Sequence, residues 1–461
     1  MQIYRRVGWG LVVALWAGSL ACTNNDIDPN ATNGATPGKG SADFTKYVAV
    51  GNSLTAGLAD ATTSGGGLYR EGQLNSYPNI LAGQFKTVGG GEFTQPLFTE
   101  TQAAGSGYTK LVQLPDTANP VTLFSALKDV APGAIRGVNS TGGALLTKFT
   151  GANQNLGVPG IKMADVLSPG YGSAQGNPYF ERLLADTDPA QSTTYFQYVS
   201  NNLAGATFFS CWLGNNDVLS YALAGGTSSI TASALFTTNY TAILNKLTEG
   251  GRKGVVIGIP TVTGAPYFRV ITIQVLNKVF KALAPTSPTI PALAIQASDA
   301  PQGVRASTAN DLFLSTLANQ TLLVMLGRTD VGTKVGRFAL DATNPLPNQY
   351  VLDTGEQATL NARITEFNGI MKAQADAKGL AFVDPNIVLS QLASTGGLQQ
   401  NGITYTNAFI QGGVFSLDGI HFTPAGYALM ANEIIKGINA KYSSTIPLVN
   451  TATYRRVLLQ Q

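Results

Sequence analysis

Residues 46–57 read KYVAVGNSLTAG, a stretch in which an apolar run passes into a polar turn and a short helical pattern. The run is almost continuously apolar, as a strand covered by helices on both faces must be. Similar runs follow in ATFFSCWLG (206–214), GVVIGIP (254–260) and GLAFVDP (379–385). Because longer amphipathic stretches separate these runs, the alternation predicts a doubly wound α/β domain around a parallel sheet.

Helix boundaries can be predicted from the residues that cap helices. The stretch NSYPNILAGQF contains a helix opened by Pro78, and ASALFTTNYTAILNKLTEGG ends in a glycine pair. A third helix begins at a Thr354 cap and ends at Gly379. The last helix, TPAGYALMANEIIKGINAKY, has Thr423 as its predicted N-cap and Pro424 as its first residue.

Two stretches are too long to be ordinary connections between a strand and a helix. They cover about residues 86–150 and 265–350, and we interpret both as insertions into one domain that spans residues 46–445. Residues 446–461 are expected to form a C-terminal tail. With 44% hydrophobic and 12% charged residues, the chain can bury a large core. We expect a monomer.

The N-terminus is typical of a secreted, lipid-anchored protein. Two arginines precede an apolar run that ends at Cys22, so residues 1–22 are interpreted as a signal peptide. Cys22 resembles the lipidated cysteine of bacterial lipoproteins, and the Asn-, Gly- and Pro-rich residues 23–45 resemble a flexible tether. An ordinary secretory signal is the alternative. The resemblance and Thr23 together indicate an extracytoplasmic protein anchored in the outer membrane.

Composition argues against several functions. The 29 basic and 26 acidic residues are scattered along the chain, without the basic stripe that nucleic acids require. One histidine and two distant cysteines cannot form a zinc site, and no cofactor is expected. Cys211 lies in an apolar run, so we expect a buried thiol and no disulfide.

In an open parallel sheet, ligands bind beyond the carboxyl ends of the strands. Ser53 follows the first predicted strand, at a turn into a helix whose free amides face outward. That position suits a nucleophile. Serine also commonly caps helices, and the local sequence alone favours the capping role.

Two further segments supply hydrogen-bond donors. In NQNLGVPGIKMADVL, Gly157 and Gly160 allow a tight turn, and the amide of Gly160 can point into the same cleft. In WLGNNDVLS, Asn216 follows a strand and can donate from its side-chain amide. Glycine-rich turns are common, so the first segment alone is a weak signal, and an Asx turn explains the second equally well.

Asp418 and His421 share the loop SLDGIHF, and His421 is the chain's single histidine. At this spacing, the carboxylate can hold one imidazole nitrogen while the other faces the cleft. The imidazole can then take a proton from a serine hydroxyl as that hydroxyl attacks an ester. The amides of Ser53 and Gly160 and the Asn216 side chain can stabilise the resulting oxyanion.

The blocks GNSL, NLGVPG, GNND and DGIHF, in this order, resemble the four sequence blocks of the SGNH (GDSL-type) hydrolases. The resemblance implies a three-layer, flavodoxin-like α/β/α fold and cleavage of esters or thioesters. It assigns Ser53 as nucleophile, Gly160 and Asn216 as oxyanion donors, His421 as base and Asp418 as its partner. Asn52 stands where the family usually has aspartate.

The sequence therefore predicts a serine esterase or lipase that forms an acyl-enzyme on lipid or acylated-glycan esters. A carbohydrate O-deacetylase or an acyltransferase would use the same groups. An inactive binding lipoprotein would lack one of them. A two-carboxylate glycosidase has candidates in Glu71, Glu92 and Asp217, although their spacing does not favour one.

Overall fold

The computed structural model describes residues 36–113, 126–186, 192–283, 293–315 and 345–459. The predicted signal peptide, with Cys22, and the first part of the predicted tether lie outside these residues. Within the described ranges, no helix combines the length and the apolar character needed to cross a bilayer.

Fifteen strands are present in the described residues, and five of them form the central sheet. In chain order they are β1 (Tyr47–Gly51), β2 (Tyr108–Leu111), β3 (Leu127–Val130), β4 (Ile135–Val138), β5 (Ala144–Leu146), β6 (Asn155–Gly157), β7 (Phe208–Trp212), β8 (Lys253–Ile257), β9 (Ala294–Gln296), β10 (Val304–Ala306), β11 (Leu312–Phe313), β12 (Val351–Leu352), β13 (Ala381–Val383), β14 (Leu398–Gln400) and β15 (Ile403–Tyr405).

The central sheet is parallel throughout and has the spatial order β6-β1-β7-β8-β13. Counted along the chain, this is the order 2-1-3-4-5 of flavodoxin-like folds. The first connection runs toward one edge and the later ones toward the other, so β1 and β7 flank the topological switch point. The predicted α/β class with a parallel sheet is confirmed.

Helices cover both faces of this sheet. They are α1 (Ser53–Ala56), α2 (Arg70–Leu74), α3 (Tyr77–Lys86), α4 (Pro178–Glu181), α5 (Tyr195–Asn201), α6 (Asn215–Leu223), α7 (Ser233–Leu247), α8 (Ile273–Leu283), α9 (Thr354–Ala377), α10 (Asn386–Leu392) and α11 (Pro424–Tyr442). Helix α3 packs with α11, whereas α6 and α7 pack with α9. Helices α9 and α11 both pack on β8 and β13, so the two groups lie on opposite faces of the sheet and give three layers.

The apolar runs correspond to β1, β7, β8 and β13, each shorter than its run, and the Cys211 side chain is buried in β7. Strand β6 was not predicted, because its three residues form no apolar run.

Thr423 caps α11 as predicted, since its hydroxyl accepts from the Gly426 amide. The predicted Thr354 cap is wrong. Asp353 caps α9 through a reciprocal pair of bonds with Glu356, so Thr354 is already helical.

The two long stretches contribute short antiparallel pairs outside the central sheet. Strands β2 and β3, and β4 and β5, pair within the first stretch. Strands β9 and β10 pair within the second, and β11 pairs with β12 near its end. Residues 316–344 of this second stretch lie outside the described residues.

Both ends of the described chain pack onto the domain. Phe44, in the predicted tether, is buried and stacks on Phe85 with 4.3 Å between ring centroids. The predicted boundary at residue 45 therefore lies too late in the chain. In the predicted tail, the Arg455 carbonyl accepts from the Ala425 amide at 3.0 Å, at the start of α11. Residues 446–459 thus belong to the folded domain.

Candidate active site

Ser53 is the first residue of α1, directly beyond the carboxyl end of β1. Asn52 caps this helix, because its side-chain oxygen accepts from the Leu54 amide at 3.0 Å. The Ser53 hydroxyl is therefore not used as a cap. Gly51 lets β1 lie close to β7 at this point, since a Cβ at that position would lie 2.7 Å from the Trp212 carbonyl oxygen.

The hydroxyl of Ser53 lies against the single imidazole of the chain. Ser53 Oγ is 2.9 Å from His421 Nε2, although the two residues are 368 positions apart. His421 belongs to the histidine loop (residues 416–421), which is separated from the start of α11 by two residues. Thr423 fixes the start of that helix and thereby the end of the histidine loop. The loop lies at the switch point of the sheet, where His421 contacts Ser53.

The other imidazole nitrogen is held by Asp418, with 2.9 Å between Nδ1 and Oδ2. Oδ1 accepts from the amides of Ile420 and His421, each at 2.8 Å, and Oδ2 from the Ala61 amide at 2.9 Å. Burial raises the pKa of the Asp418 carboxyl, but the charge and hydrogen bond of His421 and two backbone amides bring it down to about 2. Asp418 is therefore ionised at neutral pH.

The glycine loop (residues 157–164) runs beside Ser53. Gly160 has φ +83° and is exposed, and its amide has no acceptor among the described residues. Buried Asp217 shapes this loop by accepting from the amides of Met163 and Ala164, at 2.8 and 3.4 Å. Burial raises the pKa of Asp217 to about 6, against the opposing effect of the Thr231 hydroxyl and these amides.

Asn216 is half-buried at the start of α6, where its amide donates one hydrogen bond to the Ile161 carbonyl at 3.0 Å. The second N–H of that amide remains for a ligand. Asn216, Ser53 and His421 line one pocket, whereas Gly160 lies on the adjacent turn and does not line it. The structure thus brings Ser53, His421, Asp418 and Asn216 together around one cleft.

The pocket has about 560 Å³ of unfilled space, including its mouth, and is mainly apolar. Besides Ser53 and His421, its polar lining consists of Asn52, Asn215, Asn216 and Thr261. The apolar lining residues are Leu54, Leu219, Pro260, Val262, Ala265, Phe268, Leu389, Phe415, Ile420 and Phe422. Ionised side chains are absent from this lining, so its walls suit an uncharged, apolar group.

Glu71, Glu92 and Asp217 do not form a carboxylate pair in this pocket. Glu71 binds Arg455 at 2.7 Å and Glu92 binds Lys86 at 2.7 Å, while Asp217 holds the glycine loop. None of the three lines the pocket. Among all the described residues, no three His, Cys, Asp or Glu side chains cluster closely enough to hold a metal ion.

Two groups that shape the site, the Asn52 side chain and the Ala61 amide, were not predicted from the sequence. The capping role of Asn52 was readable, because asparagine is a preferred N-cap and the helix begins at the next residue. The Ala61 amide, which binds Asp418, leaves no signal in the sequence, because every residue except proline carries the same group.

The fold and the site together define a flavodoxin-like α/β protein with a hydrogen-bonded serine, histidine and aspartate at the switch point. Residues 47–434 match the family model described as GDSL-like Lipase/Acylhydrolase, which covers most of the chain. The chain therefore belongs to this family of ester-hydrolysing enzymes, as the four blocks predicted.

One solved structure similar to this chain is an extracellular lipase from Streptomyces rimosus, with 12% identity and a TM-score of 0.29. The match covers 86% of this chain and 99% of the lipase. No protein with a curated description matches the sequence.

Proposed function

We propose that the protein is a serine esterase that cleaves carboxylic esters through an acyl-enzyme. The observation that carries this proposal is the continuous hydrogen-bonded chain from Ser53 Oγ through His421 to Asp418. A serine hydroxyl is a weak nucleophile near neutral pH, and a neutral imidazole within hydrogen-bond distance removes its proton during attack.

In the first half of the reaction, Ser53 Oγ bonds to the ester carbonyl carbon while its proton passes to His421 Nε2. The imidazolium is stabilised by ionised Asp418 across the 2.9 Å contact with Nδ1. When the tetrahedral intermediate collapses, the ester C–O bond breaks and His421 returns the proton to the leaving alcohol. The acyl group remains on Ser53.

In the second half, a water molecule gives its proton to His421 and bonds to the acyl carbon. Collapse of this intermediate breaks the bond to Ser53, whose oxygen recovers the proton, and the carboxylic acid leaves. An acyltransferase would use an acceptor alcohol in place of water at this step.

The oxyanion of each tetrahedral intermediate needs donors that are fixed beforehand. We assign this role to the Ser53 and Gly160 amides and the Asn216 side chain. Neither amide has a hydrogen-bond partner among the described residues. Asn216 is already oriented by its bond to Ile161, so binding the oxyanion requires little reorganisation.

The lining of the pocket supports an ester with an apolar acyl or alcohol group. Each methylene transferred from water into such a pocket contributes about 0.8 kcal/mol. An O-acetyl group on a glycan would leave most of these apolar walls unused. We therefore favour an esterase with an apolar substrate over a carbohydrate O-deacetylase.

Two measurements test the proposal. A fluorophosphonate probe should label the wild-type protein and the exposed control variant Ser394→Ala, but not Ser53→Ala. In a series of p-nitrophenyl esters, kcat/KM should rise with acyl length and exceed the value for acetylated glycans. Absence of labelling in the wild type would favour an inactive binding protein, and preference for the glycans would favour a deacetylase.

We also propose that Cys22 carries lipid and anchors the protein in the outer membrane. The apolar run before this cysteine and the polar residues after it support the proposal. Cys22→Ser should release the protein from the membrane fraction and abolish labelling with a fatty-acid analogue. Retention of both properties would refute lipid anchoring at this residue.

A further inference from the structure

Asp60 is a buried carboxylate close to the site, and the proposed reaction does not use it. Its exposed fraction is 1%, and its backbone has φ +49°, a left-handed conformation that is uncommon outside glycine. A residue keeps such a conformation when the surrounding contacts over-determine it. The contacts of Asp60 lead directly to the histidine loop.

Asp60 and Ala61 bind three consecutive residues of that loop. The Asp60 amide donates to the Ser416 hydroxyl and the Asp60 carboxylate accepts from the Leu417 amide, both at 2.9 Å. The Ala61 amide donates to the Asp418 carboxylate, also at 2.9 Å. Ser416 links Asp60 to Asp418, because its hydroxyl also donates to the Asp418 carboxylate at 3.1 Å.

Two further side chains, those of Tyr69 and Arg455, hold the Asp60 carboxylate. The Tyr69 hydroxyl donates to Asp60 at 2.7 Å, and Arg455 donates to that same hydroxyl at 3.0 Å. The guanidinium lies 3.8 Å from the Asp60 carboxylate and binds Glu71 at 2.7 Å. Arg455 comes from the C-terminal segment, 395 positions after Asp60 by their residue numbers.

We propose that Asp60 is a positioning residue that orients the histidine loop so that His421 meets Ser53. Asp60 is in turn held by Arg455 of the C-terminal segment (residues 446–459). This inference rests on the proposed esterase function. It gives Arg455 an indirect part in catalysis, although Arg455 does not line the pocket.

Electrostatics explains why both members of the pair are needed. Burial raises the pKa of Asp60, and the charge of Arg455 and the donated hydrogen bonds leave it at about 6. Without Arg455, the pKa of Asp60 would rise further, because burial and the nearby charge of Asp418 both disfavour its ionised form. Removing one partner of a buried pair is costly for that reason. A protonated Asp60 would accept a weaker hydrogen bond from the Leu417 amide, so the histidine loop would be held less firmly.

Kinetics of two variants test the proposal. Asp60→Asn keeps the shape and tolerates the left-handed backbone, but it removes the charge. Arg455→Gln removes the partner charge. Because small misplacements of catalytic groups are expensive, each variant should lower kcat on the order of 10²-fold while KM changes little. Arg455→Lys should recover part of this loss.

Asp311→Asn is the matched control. Asp311 is also buried and pairs with Arg305 at 2.7 Å, outside the pocket lining. We expect it to lower the melting temperature without changing kcat. This control separates a general loss of stability from a loss of positioning.

Nuclear magnetic resonance gives a readout independent of turnover. In the wild type, the Nδ1 proton shared with Asp418 should give a single downfield signal, since the chain has one histidine. The signal should weaken or shift in Asp60→Asn and persist in Asp311→Asn. Wild-type kcat and an unchanged signal in Asp60→Asn would overturn the proposal. An inactive wild type that still gives the signal would instead contradict the esterase function.

Discussion

The histidine loop and the glycine loop are each organised around a largely buried carboxylate that accepts hydrogen bonds from backbone amides, yet the two carboxyls differ in pKa. Asp418 faces an imidazole and has a pKa of about 2, whereas Asp217 faces the Thr231 hydroxyl and has a pKa of about 6. Burial raises the pKa of both, so the partner decides whether the pKa ends below or above its ordinary value.

The difference matches what each loop has to do. In the proposed mechanism, Asp418 must remain ionised, because it stabilises the imidazolium that forms on His421. Asp217 only has to accept hydrogen bonds, so a neutral hydroxyl serves as its partner. We infer that the histidine loop depends on the negative charge of its carboxylate, whereas the glycine loop depends only on the hydrogen bonds that its carboxylate accepts.

The largest effects are expected where the histidine loop meets the nucleophile. Ser53→Ala and His421→Ala should each lower kcat by on the order of 10⁶-fold, because the two groups act as one unit. The double variant should lose little more than either single variant. Substantially additive losses would show that the two residues act separately.

Asp418→Asn should lower kcat by about 10⁴-fold while the fold is retained. An amide cannot stabilise the imidazolium, and it favours the wrong imidazole tautomer. Steady-state kinetics with a p-nitrophenyl ester would measure the loss. A decrease below 10-fold would mean that the charge of Asp418 is dispensable.

In the neighbourhood of the glycine loop, Asn216→Ala should cost about 10² to 10³ in kcat, the range for one oxyanion donor. Asn216→Asp, of equal size, should be at least as damaging, because it places negative charge where the oxyanion forms. An effect on KM alone would assign Asn216 to substrate binding.

The smallest effect concerns stability, and its sign follows from the raised pKa. Between pH 4 and 6 an unfolded Asp217 ionises while the folded one keeps its proton, so its contribution to stability falls as pH rises. A shift from 3.8 to about 6 corresponds to about 3 kcal/mol.

Asp217→Asn should remove that fall, as measured by urea unfolding at pH 4, 5 and 6. Asp418 behaves oppositely, because its lowered pKa gives stability above pH 4 that is lost toward pH 2. An identical pH dependence in the wild type and Asp217→Asn would contradict the assigned role of Asp217.

Much of the architecture could be predicted because its signals are local. Buried parallel strands need continuous apolar runs, and helix starts need capping residues, so β1, β7, β8, β13 and the Thr423 cap were readable. Strand β6 escaped because three residues between glycine-rich turns carry too little apolar pattern. The Asp353 cap was missed because the neighbouring threonine is also a good cap.

For the site, the sequence by itself determined which groups are available: one histidine, an aspartate three residues before it, and a serine after the first strand. The tertiary structure alone decided that these groups meet. It also decided that Ala61 and Asp60 hold the histidine loop and that Arg455 stands behind them. The physical reason is that these contacts join residues hundreds of positions apart. Many of them use backbone amides, which are the same in every residue except proline and therefore leave no signal in the sequence.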